Sequence, residues 1–339
     1  MAVSVEQARD LAMAAGLAVK GSTSPNPPVG AVILDRADRL VGRGATQPVG
    51  GAHAEVMALQ EAGAAARGGT AVVTLEPCAH VGRTGACTLA LLRAGIARVL
   101  YVHADPNPVA AGGARILAQA GVEVRQIPAG TGKDALDPWL RATKLQRPCV
   151  TLKVAQTLDG FSAALDGTSQ WITSPQSREH AHLDRQGRDA LMVGTGTVLA
   201  DNPRLSARRP DGSLLPQQPR RVVVGSRPVE QMGAAAAHLQ QAGFEQYATP
   251  QQALVQLWES GARDVLVEGG PGLAGSLLQA GLVDYLHVYI APLVLGQGRS
   301  VSATAVGPSL ADAARFQRRA LRELGPDIMV ELSALAPEG

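Results

Sequence analysis

The sequence predicts an α/β protein built from two domains. Its 339 residues exceed the usual length of a single domain. In both halves, short apolar runs typical of buried strands alternate with segments of helical spacing, which indicates layered α/β sheets. Residues 128–148 interrupt this alternation with Gly, Pro and polar residues. We therefore place the linker there and expect domains at 1–147 and 148–339.

The N-terminal half begins with a helix signal. Residues 4–7 form a capping box and precede apolar residues at helical spacing up to position 19. Alternating segments then follow in order. Strands are predicted at 29–34, 71–75, 98–103 and 122–127, and helices at 53–62, 88–94 and 114–120.

The C-terminal half continues in the same way. Strands are predicted at 149–155, 190–194, 221–225, 263–268, 286–295 and near 329–332, while 204–219 is loop-like. Glycine-rich turns follow two of these strands, at 194–197 and 268–276, and such turns let backbone N–H groups approach phosphates. The first strand is not followed by G-x-G-x-x-G, which disfavours a Rossmann dinucleotide site.

Composition excludes several function classes. The net charge is +2, basic residues are scattered and aromatic residues make up 3% of the chain, so we expect neither nucleic-acid nor membrane-surface binding. No apolar run approaches the roughly 20 residues of a membrane span, and the N-terminus lacks the pattern of a signal peptide. Three cysteines cannot form a complete set of disulfides. We therefore expect a cytoplasmic protein.

The most informative chemistry lies at His53 and Glu55, followed by Cys78 and Cys87. One imidazole and two thiolates can bind zinc and leave a fourth position for water, whose pKa then falls to roughly 7. Glu55 would carry the proton without binding the metal, as in zinc nucleobase deaminases. Side chains two residues apart on a helix point about 200° apart. His53 and Glu55 can therefore share a site only at the first turn of a helix.

Two alternatives remain beside this interpretation. A single histidine is more often structural, and a single cysteine is more often a small buried hydrophobic residue. A structural zinc would need a fourth Cys or His, and His80 is the candidate near Cys78. Cys87 is predicted to open a helix, where the helix dipole favours a thiolate. Taken together, His53, Glu55, Cys78 and Cys87 favour a catalytic zinc site.

The motifs at 24–30, 53–55 and 74–87 resemble the bifunctional deaminase–reductase family of riboflavin biosynthesis. The resemblance continues through 152–160, 169–173, 197–205 and 268–271, in the order of the family, and covers nearly the whole chain. It implies a cytidine-deaminase-like three-layer α/β/α domain followed by a dihydrofolate-reductase-like α/β domain. The first would remove an amine from 2,5-diamino-6-ribosylamino-4(3H)-pyrimidinone 5′-phosphate. The second would reduce the ribosyl side chain of the product to ribityl with NADPH.

The resemblance also implies residue roles. His53, Cys78 and Cys87 match the Zn²⁺ ligands and Glu55 the proton donor, while Asn26 and His80 match positions that hold the pyrimidine. Lys153, which on its strand could equally snorkel at a sheet edge, is placed in a catalytic role near the ribose. The remaining substrate contacts implied are Ser169, Arg185, Leu205, Arg208 and Glu268. The NADP contacts implied are Ala155, Trp171, Thr197, Asp201, Ser226, Gly270, Pro271, Gly272, Leu273, Ala274, Gly275 and Ser276.

An arginine pair such as Arg185 and Arg208 suits a 5′-phosphate, although any single arginine could be a solvated surface charge. The chain departs from the family at residues 85–86, at Gly225 and in a shortened segment, 226–263. One alternative is therefore a deaminase whose second domain only binds ligand. Another is a non-catalytic zinc-stabilised binding protein, against which Glu55 argues. We expect a homo-oligomer, either a dimer or a tetramer.

Overall fold

The computed structural model describes residues 2–79 and 86–335. The chain divides into two compact units, residues 1–146 and 147–339. Each unit is an α/β structure around its own sheet. None of the described helices combines the length and the apolar character that a membrane crossing requires.

The first unit contains a five-stranded sheet in the order β2-β1-β3-β4-β5. The strand β1 pairs antiparallel with both of its neighbours, whereas β3, β4 and β5 run parallel. The strands are β1 Gly30–Leu34, β2 Leu40–Ala45, β3 Thr70–Leu75, β4 Arg98–His103 and β5 Glu123–Gln126. The helices are α1 Val5–Ala18, α2 Ala54–Ala62, α3 Cys87–Ala94, α4 Gly113–Gln119 and α5 Asp137–Leu145.

Alternate residues of the first sheet feed two separate cores. On β1, Ala31 and Ile33 pack with the alanines of α2, whereas Val32 packs with residues of α1. Because successive side chains of a strand point to opposite faces, this sheet is buried between two helical layers. The approach of α1 is close: a Cβ added at Gly30 would lie 1.9 Å from the carbonyl oxygen of Ala12. The predicted three-layer α/β/α arrangement is confirmed.

The second unit contains an eight-stranded sheet in the order β10-β9-β8-β11-β6-β12-β15-β14. The first six strands in this order are parallel to one another, and β15 pairs antiparallel with both β12 and β14. A two-stranded ribbon joins β13 and β7. The strands are β6 Cys149–Thr157, β7 Phe161–Ala163, β8 Ala190–Gly194, β9 Arg220–Val224, β10 Glu245–Tyr247, β11 Asp264–Val267, β12 Tyr285–Ala291, β13 Arg299–Ser300, β14 Phe316–Leu324 and β15 Asp327–Ala334. The helices are α6 Pro175–Gln186, α7 Thr195–Asp201, α8 Ala237–Ala242, α9 Pro250–Glu259 and α10 Pro271–Gln279.

The apolar strands lie where the sequence predicts them. The largest difference in a boundary is that of the strand expected at 286–295, which ends at Ala291. Pro292 follows, and proline lacks the N–H group that a ladder requires. The buried parallel strands β8 and β11 supply the centre of the sheet and end at the two glycine-rich turns. The carboxyl ends of these strands therefore place both turns at the same sheet edge.

Candidate active sites

The first site lies where two helices begin. His53 is the N-cap residue of α2 with extended backbone, and Glu55 follows in the first turn of that helix. Cys87 is the first residue of α3, and Cys78 lies beyond the end of β3. The donor atoms of His53, Cys78 and Cys87 all lie within 4.8 Å of one another. The structure therefore brings together the three residues predicted as ligands.

The distances within this cluster suit a zinc ion. The His53 Nδ1 atom lies 3.2 Å from Cys87 Sγ and 3.6 Å from Cys78 Sγ. A tetrahedral zinc with bonds of about 2.0 Å to nitrogen and 2.3 Å to sulfur holds its ligand atoms roughly 3.5–3.8 Å apart. One imidazole and two thiols are also a donor set that zinc prefers. The residues present thus fit the metal.

The two thiols differ in their electrostatics. The Cys87 backbone N–H donates a hydrogen bond to Cys78 Sγ at 3.3 Å. Hydrogen bonding to Cys87 and His53 lowers the pKa of Cys78 to about 4 against the effect of burial, while the Cys78 side chain and burial raise the pKa of Cys87. A bound divalent cation takes both sulfurs as thiolates, because a coordinating thiol loses its proton.

Glu55 is a buried carboxyl group, only 4% exposed. Burial raises its pKa to about 7, against the opposing effect of its own backbone N–H. It lies in the first turn of α2, two residues after His53, and hydrogen-bonds the Cys87 side chain without joining the three-residue cluster. A carboxyl group in this position suits the transfer of protons next to an ion held by the cluster.

A cavity of about 240 Å³ opens onto this cluster. Asn26, one of the two residues predicted to hold the pyrimidine, lines it. His80, the other, lies outside the described residues. The sequence did not single out several further lining residues: Thr46, Glu76, Asp105, Asn107, Ala110 and Trp139. Of these, Trp139 is linked to a motif that the sequence did single out. Its indole N–H donates to the Pro25 carbonyl at 2.9 Å and so holds the 24–30 motif.

The second site is a cleft of about 1430 Å³ at the carboxyl ends of the parallel strands of the second unit. This volume exceeds the roughly 300–1,000 Å³ of a typical small-ligand site, so a cofactor and a substrate fit together. Most residues predicted for this site line the cleft: Lys153, Ala155, Ser169, Trp171, Arg185, Thr197, Asp201, Leu205, Arg208, Glu268, Gly270, Pro271, Gly272, Leu273 and Ser276.

Three predicted cofactor contacts do not line the cleft. Ala274 packs into the core with residues of α9, and a Cβ at Gly275 would meet the hydroxyls of Ser302 and Thr304. The reason is helical periodicity, because only one face of α10 is turned to the cleft. Ser226 is exposed just after β9, and its neighbour Gly225 lines the cleft instead. Residues 248–251, within the shortened segment, also line it.

The floor of the cleft carries a pair of opposite charges. Arg185 donates from Nε and Nη2 to the two oxygens of Glu268, each at 2.7 Å. Burial raises the pKa of Glu268, but Arg185 and Lys153 lower it to about 2, so it is a carboxylate at neutral pH. Arg185 Nη1 also donates to the Ser206 carbonyl and to His182 Nδ1, both at 2.9 Å. Arg185 is therefore largely occupied within the protein.

Lys153 presents its ammonium to the cleft above Tyr289. Its Nζ lies 5.4 Å from the centre of the Tyr289 ring, and the Tyr289 hydroxyl pairs with His180 Nδ1 at 2.8 Å. Within residues 2–79 and 86–335, no side chain or carbonyl forms a hydrogen bond with Lys153 Nζ. Burial lowers the pKa of Lys153, Glu268 raises it, Arg185 lowers it, and the net effect is downward. Such an amine can bind or protonate a ligand oxygen.

Arg208 is a second arginine that lines the cleft. Its Nη1 donates to the Ser206 hydroxyl at 3.2 Å. Burial and the positive charges of Arg185 and Arg204 lower its pKa, which indicates a locally positive region. A phosphate group would relieve this repulsion between like charges.

The turns between strands and helices supply the expected backbone donors. Gly270 is the N-cap of α10 without a side-chain cap, and its own N–H donates to Thr197 Oγ1 at 3.1 Å. A Cβ at Gly196 or Gly272 would meet no atom within 4 Å, so both turns leave space at the cleft. Backbone N–H groups at a helix start with this much space fit the phosphates of a dinucleotide.

Comparison with known proteins gives the same division of the chain. Residues 5–103 match the model of the cytidine and deoxycytidylate deaminase zinc-binding region, and residues 148–330 match that of the RibD C-terminal domain. The chain is 57% identical over 322 residues to the riboflavin biosynthesis protein RibD of Corynebacterium ammoniagenes, covering 95% of this chain and 96% of the relative. It is 45% identical to RibD of Mycobacterium tuberculosis, with 98% of each chain covered.

Solved structures agree over the full length. Acinetobacter baumannii RibD superposes with a TM-score of 0.81 at 35% identity, and 97% of each chain is covered. A diaminohydroxyphosphoribosylaminopyrimidine deaminase/5-amino-6-(5-phosphoribosylamino)uracil reductase of Thermotoga maritima gives 0.79 at 28% identity, again with 97% of each chain. The zinc-type cluster, the second cleft and these relatives lead to one conclusion. The chain belongs to the RibD family and is a bifunctional deaminase and reductase of riboflavin biosynthesis.

Proposed function

We propose that the first unit deaminates 2,5-diamino-6-ribosylamino-4(3H)-pyrimidinone 5′-phosphate and that the second unit reduces the ribosyl group of the product to ribityl with NADPH. The observation that carries this proposal is the cluster of His53, Cys78 and Cys87 together with a buried Glu55 that lines the adjoining cavity outside the cluster. A structural zinc would not need that carboxyl group. The deaminase activity lies before, and the reductase activity after, the boundary expected between residues 147 and 148.

In the first reaction, Glu55 moves the protons. His53, Cys78 and Cys87 would hold a zinc ion, which would supply a hydroxide near neutral pH by lowering the pKa of water. Glu55 accepts the proton released from that water at its carboxylate. The oxygen of the water bonds to the amine-bearing ring carbon, and as the carbon–nitrogen bond breaks, Glu55 returns the proton to the departing amine, which leaves as ammonia. Asn26, on the cavity wall, binds and orients the pyrimidine ring.

In the second reaction, the cleft orients the ribosyl group. The turns at 194–197 and 269–273 would hold NADPH, which would supply the hydride for C1′. Lys153 hydrogen-bonds a ribosyl oxygen and gives it a proton as the bond from that oxygen to C1′ opens. Glu268, held by Arg185, accepts hydrogen bonds from sugar hydroxyls, and Arg208 binds the 5′-phosphate.

The experiment that tests both steps is mass spectrometry of the diaminopyrimidinone substrate after incubation with zinc-loaded protein. Without NADPH we expect loss of one amine and gain of one carbonyl. With NADPH we expect the further addition of two hydrogens. Deamination without reduction at any NADPH concentration would support the alternative in which the second unit only binds ligand. An unchanged substrate would contradict the whole proposal.

We propose further that the enzyme is a cytoplasmic homo-oligomer. Cys78, Cys87 and Cys149 form no disulfide, as expected in a reducing compartment. The strand β14 lies at the end of its sheet, and Leu321 on it and Ile328 on the neighbouring β15 are large apolar residues that are 53% and 42% exposed. Light scattering after size exclusion should therefore give two or four times the chain mass of 35.0 kDa. A mass of one chain at micromolar concentration would contradict this expectation.

A further inference from the structure

A buried carboxylate next to the metal ligands is not used by the mechanism. Glu76 follows β3, directly before Pro77 and Cys78, and is 8% exposed. Its Oε1 accepts hydrogen bonds from the backbone N–H groups of Gly112 at 3.1 Å and Ala114 at 3.0 Å. Its Oε2 accepts one from the backbone N–H of Asp105 at 3.3 Å. Charged acceptors make hydrogen bonds about twice as strong as neutral ones.

Two of the three N–H groups, those of Asp105 and Gly112, lie near the two ends of one loop, and the third, that of Ala114, lies in the first turn of α4. This loop, residues 104–112, connects β4 to α4, and Asp105, Asn107 and Ala110 within it line the deaminase cavity. Glu76 therefore closes the loop like a clasp, because one side chain holds Asp105 near its start, Gly112 at its end and Ala114 in the helix that follows. Glu76 is also the acidic residue nearest in sequence to the ligand Cys78. The loop has a second, direct link to the turn that carries this ligand, because the Ala79 N–H donates to the Ala110 carbonyl at 3.0 Å.

The backbone packs closely around Glu76. A Cβ added at Gly113 would lie 1.7 Å from the Pro77 carbonyl oxygen, so the loop passes directly against the turn that carries Cys78. Glu76 makes no ion pair among the described residues, and its charge is met by backbone N–H groups alone. The carboxylate thus serves the loop rather than a partner cation.

We propose that Glu76 is a positioning residue of the deaminase, which fixes the 104–112 loop against the metal-ligand turn and so sets the shape of the pyrimidine cavity. The inference rests on the proposed deaminase function of this cavity. It assigns Glu76 an effect on substrate binding rather than on the chemical step. An amide in its place keeps one acceptor oxygen for Gly112 and Ala114, but it turns a donor N–H₂ toward the N–H of Asp105.

The test uses the full-length, zinc-loaded Glu76→Gln variant. We expect the deaminase KM to rise about tenfold, the effect of losing one charge-assisted hydrogen bond, while kcat changes less than about threefold. Zinc content and NADPH-dependent reduction should stay at the parental level. Glu61→Gln is the matched control, because Glu61 also accepts a backbone N–H, that of Arg43 at 2.9 Å, but away from the cavity. This control should leave KM unchanged.

Two results would overturn the proposal. One is an unchanged KM at unchanged zinc content, and the other is a parallel loss of zinc and kcat with the parental KM. If Glu76→Gln lowers the melting temperature so far that it cannot be assayed, Glu76→Asp replaces it. That variant keeps the charge but is one methylene shorter, so it must show a raised KM with zinc retained. A failure of the proposed function itself would appear differently, as absence of deamination by the parental enzyme.

Discussion

Replacing Glu55 by Gln should abolish ammonia release while zinc content and NADPH-dependent reduction remain at the parental level. Glutamine keeps the size of the side chain but can neither accept nor return a proton. Proton transfer by a positioned group contributes roughly 10²–10⁴-fold, so a loss of at least that size in deaminase kcat is expected. Because Glu55 lies outside the ligand cluster, the metal should stay bound.

The measurement is ammonia release combined with metal analysis of the same preparation. The reductase activity of the same chain serves as an internal control for folding. Loss of zinc together with activity would show that Glu55 supports the metal site instead of carrying protons. Deamination at more than a tenth of the parental rate would remove Glu55 from the reaction altogether.

Replacing Lys153 by Met should reduce the rate of NADPH-dependent reduction by about 10²-fold or more, because the proton donor at the sugar is lost. Methionine has a similar shape and removes the ammonium without leaving a large cavity. The dissociation constant for NADPH should change little, since the cofactor turns at 194–197 and 269–273 are intact. Deamination by the same variant should be unaffected.

The pH dependence of reduction gives an independent check. Burial lowers the pKa of Lys153 below the roughly 10.4 of an exposed lysine, although Glu268 opposes the shift. The active form is the ammonium, so it is lost as pH rises through the lowered pKa. Reductase kcat should therefore fall on the alkaline side at a lower pH than an exposed lysine would give. That alkaline fall should be missing from the residual activity of Lys153→Met, and its persistence would exclude Lys153 as the titrating group.

The sequence was most informative where burial dictates residue type. The central strands β8 and β11 are continuous apolar runs, because both faces of a parallel sheet are covered, and they were predicted closely. The short strands β7, β10 and β13 and the longer β2 and β14 were not predicted. The strands β2 and β14 lie at the ends of their sheets, where exposed residues such as Arg43 and Arg318 weaken the apolar signal.

The candidate sites show the same limit. The spacing of His53 and Glu55 predicted the helix start that the structure contains, because helix geometry is local. The Glu76 clasp and the pairing of Arg185 with Glu268 could not be predicted, since they join residues 29 to 38 and 83 positions apart. Such contacts depend on how strands are ordered in a sheet, which no local pattern encodes. The same holds for Ala274 and Gly275, whose burial depends on the packing of α10.

The two cavities draw on separate parts of the gene. The described residues that line the first all precede position 140, and those that line the second all follow position 152. A gene divided at the junction of the two units would therefore leave each set of reacting groups complete on one polypeptide. By the same reasoning, a strain carrying one copy defective at Glu55 and another defective at Lys153 would still encode every residue that either reaction uses. Recombination and fusion can thus exchange either half without rebuilding the chemistry of the other.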